Sequence, residues 1–260
     1  MLVTNDDGIE SEGIRRLAIA AVAAGLDVTV AAPDKEASGS SAALSAVESE
    51  GRILTEPRAL EGLEGVPCYA VSAAPAFAVL LAYRGAFGER PDVVLSGINR
   101  GANTGNAIVH SGTVGATLSA GTYGLPGLAV SLKLAREGAP QQWDTAATIA
   151  QRIIPLLVDS KDATVLNLNV PDLALSDVRG IKRAHLASFG AVQTNVQEVG
   201  KGWVKLGLVE TKDELEPGSD AALLAAGYAT VTPLNPICEQ LHADVPGLDE
   251  VLQRELSSPR

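Results

Sequence analysis

Short apolar segments alternate with helix-forming segments through most of the chain, and this alternation limits the fold more than any other feature. Leu2-Val3-Thr4 is typical of a short buried strand. Apolar residues then recur at helical spacing from Ile14 to Val22, and Gly25 supplies a stop signal. Repetition of this β-α unit predicts an α/β fold built on a mostly parallel sheet.

The alternation continues as far as residue 170. Further strands are predicted at 28–32, 69–71, 92–96, 128–132 and 163–170, and further helices at 75–87, from Thr113, and at 145–158. Pro155 should bend or end the last helix, because proline lacks an N–H and its ring clashes with the preceding turn. Period-two segments at 181–188 and 203–209 then indicate antiparallel, peripheral strands. We expect one domain over 1–260, in which 180–260 includes a peripheral arm.

Composition narrows the classes of partner. The 260 residues carry a formal net charge of −11 and no concentrated basic stripe, so we expect no nucleic acid duplex as a partner. We expect no membrane association, because no apolar run reaches the ~18 residues that a membrane span needs. Cys68 and Cys238 lack the spacing of a metal site or a disulfide framework, which favours a cytoplasmic protein.

The loops that follow the strands are the places to look for chemistry, because open α/β sheets bind ligands at the carboxyl ends of their strands. The first such loop is Asn5-Asp6-Asp7-Gly8. Two adjacent carboxylates can converge on one cation where glycine closes a turn, and such oxygen ligands suit Mg²⁺ or Mn²⁺. The same residues also suit an ordinary turn or helix cap. Taken alone, this loop leaves both interpretations open.

Two later loops carry hydroxyl groups, amides and small residues. The loop at 33–41 brings several serines after the second strand, although a solvated surface loop explains it better when it is taken alone. The loop at 96–105 is rich in Gly and Asn, and His110-Ser111-Gly112-Thr113 then opens a helix whose N-terminus can cradle a phosphate. Ordinary capping is the alternative for that segment. The coincidence of three such loops favours a phosphoester site.

These motifs resemble, in order, those of the SurE survival-protein family. The matching segments are Thr4–Ile9 with Gly13-Ile14, Ala32–Lys35 with Ser38-Gly39, Ser96–Gly105, Ser111–Val114, Leu166–Pro171 and Gly227–Leu234. The resemblance covers nearly the whole chain. It implies a Rossmann-like three-layer sandwich with a C-terminal β-hairpin and helix arm that exchanges between subunits of a homodimer or homotetramer. It also implies a divalent-metal-dependent 5′/3′-nucleotidase that hydrolyses nucleoside monophosphates, and some other phosphomonoesters, with release of phosphate.

The resemblance also implies roles for individual residues. The implied ligands of one divalent ion, Mg²⁺ or Mn²⁺, are Asp6, Asp7, Ser38 and Asn99. Asp6 and Asp7 are the expected catalytic residues, and which of them accepts a proton is left open. The residues implied to lie near the phosphate are Asn103, Ser111, Gly112 and Thr113. His110 is a candidate acid, but we interpret it as a residue packed before the helix.

Two segments depart from the family pattern. Ala73–Ala78 keeps the proline of the family's motif but lacks its Thr, Asp and Cys, which predicts a different pocket polarity. Gly105–Val109 lacks the acidic residues that often precede the family's Ser-Gly-Thr-Val. Two alternatives therefore stay open: a biosynthetic phosphatase with a dedicated non-nucleotide phosphoester substrate, and a catalytically weak nucleotide-binding homologue.

A phosphorylation-dependent receiver domain is an alternative from another class. Such domains also place paired acids after their first strand and bind Mg²⁺. They are much shorter than this chain, however, and need a phosphoacceptor Asp at a later strand end, where this chain has Ser96. The sequence therefore favours a hydrolase.

Overall fold

A computed structural model of the chain describes residues 1–134, 140–160, 163–188, 192–210 and 215–238. Its strands are β1 (Leu2–Thr4), β2 (Thr29–Pro33), β3 (Glu48–Ser49), β4 (Arg52–Ile53), β5 (Thr55–Pro57), β6 (Cys68–Val71), β7 (Val94–Arg100), β8 (Gly127–Lys133), β9 (Val165–Pro171), β10 (Ile181–Arg183), β11 (Val192–Gly200), β12 (Trp203–Glu210) and β13 (Ala229–Leu234). Its helices are α1 (Glu12–Ala23), α2 (Pro75–Tyr83), α3 (Gly112–Thr122), α4 (Trp143–Val158) and α5 (Asp220–Ala225). Short 3₁₀ turns lie at Gly105–His110 and Leu175–Asp177.

A nine-stranded sheet forms the centre of the described residues, in the order β10-β13-β9-β8-β7-β1-β2-β6-β5. The run from β9 to β6 is parallel throughout, and antiparallel pairing occurs only at β13 with β9 and at β5 with β6 among these strands. Helices α1 and α4 cover one face with the larger apolar core, whereas α2 and α3 cover the other. The predicted α/β, Rossmann-like three-layer sandwich is confirmed.

The central strands are continuous apolar runs because they are buried on both faces and need no alternating pattern. Val3, Val30 and Leu95 are each 0% exposed, as expected of the middle of a parallel sheet. Helix α1 begins where Ser11 caps it, since its Oγ accepts the Ile14 N–H. The helix ends just before Gly25, whose φ of +81° suits a C-terminal glycine.

Two element ends differ from the predictions, and α4 does not end at Pro155. Strand β7 runs on to Arg100, past the expected end at Ser96, because Asn99 and Arg100 pair with β8 after a register shift. Helix α2 ends at Tyr83 and not near residue 87, before Gly85 at a φ of +82°. Helix α4 continues through Pro155 to Val158. Leu157, beyond the proline, is 1% exposed, and its packing helps to offset the lost backbone hydrogen bond.

The C-terminal third differs more from its prediction. Strand β10 pairs parallel with β13, so the expected antiparallel pairing of this segment is wrong. The β11–β12 hairpin is antiparallel, as predicted, and forms a separate two-stranded sheet. Residues 189–191, 211–214 and 239–260 of the expected arm lie outside the described residues.

In the described ranges, none of the helices combines the length and apolar character required to span a membrane.

Candidate functional site

A cleft of about 610 Å³ lies at the carboxyl ends of β1, β2 and β7. Six of the eight predicted site residues line it: Asp6, Asp7, Ser38, Asn99, Asn103 and Ser111. The other lining residues are Ser11, Glu12, Gly13, Glu36, Gly39, Arg100, Ala107, His110, Gln141 and Trp143. The three loops singled out in the sequence therefore meet in one place, as the topology of a parallel sheet requires.

The turn after β1 is held in place by hydrogen bonds to the start of α1 and to the loop after β2. Asn5 is 0% exposed, and its Nδ2 donates to the Gly8 carbonyl at 3.0 Å and to Ser11 Oγ at 2.7 Å. The Asp6 carbonyl accepts the Ala37 N–H at 2.7 Å, which joins the turn to the loop after β2. Gly8 has a φ of +96°, which favours glycine at the end of this turn. The position of both carboxylates is thus set by backbone contacts.

Asp6 lies deep in the site and is only 4% exposed. Burial raises the pKa of its carboxyl, and donors at the start of α3, above all the Thr113 hydroxyl, partly offset that rise. Gly112 makes this approach possible, because a Cβ at that position would lie 2.8 Å from Asp6 Oδ2 and 2.4 Å from Ser40 Oγ. Gly112 and Thr113 therefore do not line the cleft themselves. They contact Asp6, which does.

Asp7 is the more accessible carboxylate of the pair. Its Oδ2 accepts the Arg100 N–H at 3.0 Å. Burial raises the pKa of Asp7 to about 6; the Arg100 N–H works against that rise, and the negative charges of Asp6 and Glu36 add to it. Two adjacent carboxylates in a partly dry cleft repel each other, and a bound cation removes that cost.

The remaining predicted metal ligands offer neutral oxygen atoms. Asn99 donates its Nδ2 to the Gly101 carbonyl at 2.8 Å, which leaves its Oδ1 for the cleft. Ser38 is exposed, and its hydroxyl donates to Glu36 Oε1 at 2.7 Å. No group of three or more His, Cys, Asp or Glu side chains with metal-binding geometry occurs in the described part of the chain. The donor set consists instead of two carboxylates, an amide and a hydroxyl, which fits a hard divalent ion.

Asn103 stands at the cleft on a framework of buried amides from the neighbouring strands. Its backbone N–H donates to Asn169 Oδ1 at 2.8 Å, and its carbonyl accepts from Asn169 Nδ2 at 2.8 Å and Asn167 Nδ2 at 2.9 Å. Its own Nδ2 donates to Ser131 Oγ at 2.8 Å. Asn167, Asn169 and Ser131 are each 0% exposed. The polar ends of β8 and β9 therefore determine where Asn103 lies.

Ser111 is the N-cap of α3, and its Oγ accepts the Val114 N–H at 3.1 Å. The residue before it, His110, is exposed and lines the cleft. Our interpretation of His110 as a residue packed before the helix is therefore wrong. The position of His110 directly before the N-cap of a helix was the sequence signal that could have placed it in the cleft.

Gln141 and Trp143 also line the cleft, at the start of α4, and were not predicted from the sequence. Gly13 allows the close contact on that side, since a Cβ there would lie 3.2 Å from the Trp143 ring and 1.9 Å from the Ile98 carbonyl oxygen. No local motif marks Trp143, because its role in the lining depends on this contact between helices that are distant in sequence.

The two unusual segments occupy different environments. None of the residues of Ala73–Ala78 lines the cleft, and the segment is largely buried where α2 begins, with Ala76 and Ala78 inside the helix. The predicted change of pocket polarity is therefore not found at that segment. Gly105–Val109 forms most of the 3₁₀ turn before Ser111, and its Ala107 lines the cleft. Only this second departure changes the cleft wall.

Comparison with known proteins agrees with the geometry of the site. The family model described as "Survival protein SurE" matches residues 1–192. The 5'-nucleotidase SurE of Histophilus somni is 34% identical over 263 residues, which cover 98% of this chain and 99% of that protein. The 5'/3'-nucleotidase SurE of Edwardsiella ictaluri is 35% identical over 90% of this chain and 89% of its own.

A solved structure extends the same agreement to the fold. The crystal structure of the SurE protein from Aquifex aeolicus superposes with a TM-score of 0.74 at 30% identity, over 92% of this chain and 94% of that one. A family model that matches most of the chain and relatives that match nearly all of it lead to one conclusion. The chain belongs to the SurE survival-protein family.

Proposed function

We propose that the protein is a divalent-metal-dependent phosphomonoesterase that hydrolyses nucleoside 5′- or 3′-monophosphates to nucleoside and phosphate. The observation that carries this proposal is the meeting of Asp6 and Asp7 with Asn99 and with the N-terminus of α3 in one cleft. Relatives named 5'-nucleotidase and 5'/3'-nucleotidase support the reaction class.

Asp6, Asp7, Asn99 and Ser38 are the residues that would hold the metal. Their fit is supported by the raised pKa values of the two carboxyls, because a cation stabilises the charged forms that burial disfavours. When bound, a divalent ion supplies charge for the phosphoryl oxygens and lowers the pKa of a bound water. Hard oxygen donors favour Mg²⁺ or Mn²⁺ for this position.

The chain's own residues bind and orient the phosphomonoester. Asn103 presents a polar side chain at a position that Asn169 and Ser131 hold, and Ser111 contributes a hydroxyl at the positive end of α3. Asp7 Oδ2 accepts the Arg100 N–H, which orients that carboxylate, and an oxygen of the Asp6–Asp7 pair that does not hold the metal would take a proton from an attacking water. Trp143 and Gln141 offer an aromatic surface and an amide for a nucleobase in the same cleft.

The test is release of phosphate from a panel of nucleoside 5′- and 3′-monophosphates and sugar phosphates, with Mg²⁺, Mn²⁺ or EDTA. We expect activity on nucleotides only with metal. Asp7→Asn should lower kcat/KM by more than the roughly 10–100-fold that is typical for residues that only support a metal ligand. Asp34→Asn is the matched control, since Asp34 is an exposed acid on a neighbouring loop outside the cleft lining.

The panel also separates the alternatives. Ala107 lines the cleft within the segment that lacks the family's usual acidic residues. This difference favours a dedicated non-nucleotide phosphoester substrate as the second candidate. Activity on sugar phosphates with none on nucleotides would support that candidate. Binding of nucleotide without phosphate release would indicate a catalytically weak homologue. Release that persists in EDTA contradicts the main proposal.

We also propose a cytoplasmic homodimer or homotetramer, with the β11–β12 hairpin as part of the subunit contact. Val199 and Val204 pair across this hairpin, and they are 72% and 55% exposed. Apolar side chains on an isolated two-stranded sheet favour burial against another chain. Light scattering should give a dimer or tetramer mass, and Val199→Lys should reduce it.

A further inference from the structure

One wall of the cleft is attached to a buried carboxylate that lies outside the cleft. Asp220, the first residue of α5, is 0% exposed. Its Oδ2 accepts the backbone N–H of Gly105 at 2.8 Å, across a sequence separation of 115 residues. Gly105 begins the 3₁₀ turn Gly105–His110, which supplies Ala107 and His110 to the cleft and leads directly into Ser111. Asp220 therefore contacts the site's framework without lining the cleft.

The other oxygen of Asp220 joins two further segments. Its Oδ1 accepts the N–H of Ala187 at 3.0 Å and the N–H of Ala221 at 2.8 Å. A buried carboxylate is tolerated where charge-assisted hydrogen bonds replace water, and three backbone donors do so here. Asp220 is thus a junction between the 3₁₀ turn, the segment around Ala187 and the start of α5.

Neighbouring contacts make the attachment of the turn specific. The Asn106 N–H donates to the Ala187 carbonyl at 3.1 Å, and Asn106 Nδ2 donates to the Ser188 carbonyl at 3.0 Å. At its other end the turn is held by the Ser41 hydroxyl, which donates to the Val109 carbonyl at 2.6 Å. The bond from Gly105 to Asp220 is the buried member of this set.

We propose that Asp220 is a positioning residue for the phosphate side of the cleft: it sets the place of the 3₁₀ turn and thereby of Ser111, and it leaves the metal ligands unaffected. Asp7 and Asn99 are held by contacts to Arg100 and Gly101, and Thr113, which contacts Asp6, is 0% exposed in the packed body of α3. Asp220 lies beyond residues 1–192, the part that the family model matches. The activity arm of the test below depends on the proposed function, whereas its other arms do not.

Asp220→Asn should detach the turn selectively. The amide has one oxygen, and that oxygen is best placed toward the two donors, Ala187 and Ala221. The NH₂ group then faces the Gly105 N–H, donor against donor, and this contact is lost. Ser219→Ala is the matched control: Ser219 is also 0% exposed and caps the same helix through the Ala222 N–H, but its side chain has no bond to the turn.

The experiment measures hydrogen exchange, Mn²⁺ affinity, and the affinity of the Mn²⁺-loaded protein for inorganic phosphate in wild type and both variants. In Asp220→Asn we expect faster amide exchange within 105–110, phosphate affinity lower by roughly 10-fold and unchanged Mn²⁺ affinity. In the activity arm KM should rise more than kcat falls. Ser219→Ala should match wild type in exchange at 105–110 and in phosphate affinity.

Two results overturn the proposal. One is equal exchange and phosphate affinity in Asp220→Asn and Ser219→Ala, and the other is a parallel loss of Mn²⁺ and phosphate affinity in Asp220→Asn. Should that variant not fold, hydrogen exchange of the wild type decides, and a Gly105 amide without protection from exchange overturns the proposal. A wild-type protein that hydrolyses no phosphomonoester contradicts the proposed function alone, because hydrogen exchange still decides the role of Asp220.

Discussion

The Asp6–Asp7 pair and Asp220 are carboxylate sites of opposite design. Asp220 is wholly buried, and three backbone N–H groups donate to it. Asp6 and Asp7 lie at a cleft, next to each other, and burial raises the pKa of both. Asp6 also accepts hydrogen bonds at the start of α3, whereas Asp7 accepts the Arg100 N–H and lies beside the charges of Asp6 and Glu36. The closeness of two acids at an open cleft, more than burial or the number of donors, separates the proposed metal pair from the structural acid, because a cation relieves the repulsion between them.

Removal of the Asp220 carboxylate should give the largest change in stability. Asp220→Ala leaves three buried N–H groups without an acceptor, and we expect a loss of about 3–5 kcal/mol in the free energy of unfolding. Ser219→Ala, the neighbouring cap, should cost only about 1 kcal/mol. Urea unfolding of the metal-free variants measures both. Equal losses of unfolding free energy in the two variants would mean that Asp220 contributes no more than a helix cap. Asp220 would then not differ from other capping residues as described above.

Metal should stabilise the protein through the Asp6–Asp7 pair. At Mn²⁺ concentrations about 100 times Kd, binding to the folded state alone adds roughly 2.7 kcal/mol to the free energy of unfolding. Differential scanning calorimetry with and without EDTA should show the corresponding rise in Tm. The rise should fall to about half or less in Asp7→Asn, whose Mn²⁺ affinity should be at least about 10-fold lower, and should persist in Asp220→Asn. A rise that is the same in all three proteins would place the ion elsewhere.

Neutralisation of Asp7 should give the smallest change, with the opposite sign to that of Asp220. Without metal, Asp7→Asn removes a partly buried charge beside Asp6, and we expect a gain on the order of 1–2 kcal/mol at pH 8. The folded-state pKa is raised from 3.8 to about 6, so the charged form costs stability above pH 6 and the protonated form does not.

The gain from Asp7→Asn should therefore be full above pH 6 and should disappear as the pH falls toward 4. Urea unfolding of both proteins across this pH range provides the measurement. An Asp7→Asn protein that is less stable than wild type at pH 8, with a difference that closes as the pH falls, would show that Asp7 is stabilised as an anion in the metal-free fold.

The same contrast explains how far the sequence predicts this protein. The Asp6–Asp7 turn is local: a buried strand, two acids and Gly8 stand together in the sequence, and the parallel topology brings Ser38 and Asn99 to the same edge. Asp220 has no such local pattern. Its partners, Gly105 and Ala187, contribute only backbone N–H groups, which carry no mark in a sequence.

Elements whose form depends on distant pairing were predicted least well. Gly97-Ile98-Asn99-Arg100 has the composition of a loop, yet β8 extends it as strand, and a Cβ on Gly97 would lie 2.2 Å from the Val130 carbonyl oxygen. The direction of β10 depends on its neighbour β13, which lies far along the chain. Tertiary pairing overrides local propensity in both cases.

The most direct test of the central claim is calorimetric titration of Mn²⁺ into metal-free wild type and Asp7→Asn at pH 7.5. We predict one Mn²⁺ per wild-type chain, with reversal by EDTA and recovery of phosphatase activity at the same stoichiometry. In Asp7→Asn the affinity should fall by at least about 10-fold. Equal affinity in the two proteins, or no binding to wild type, would contradict the assignment of the Asp6–Asp7 pair as a metal site.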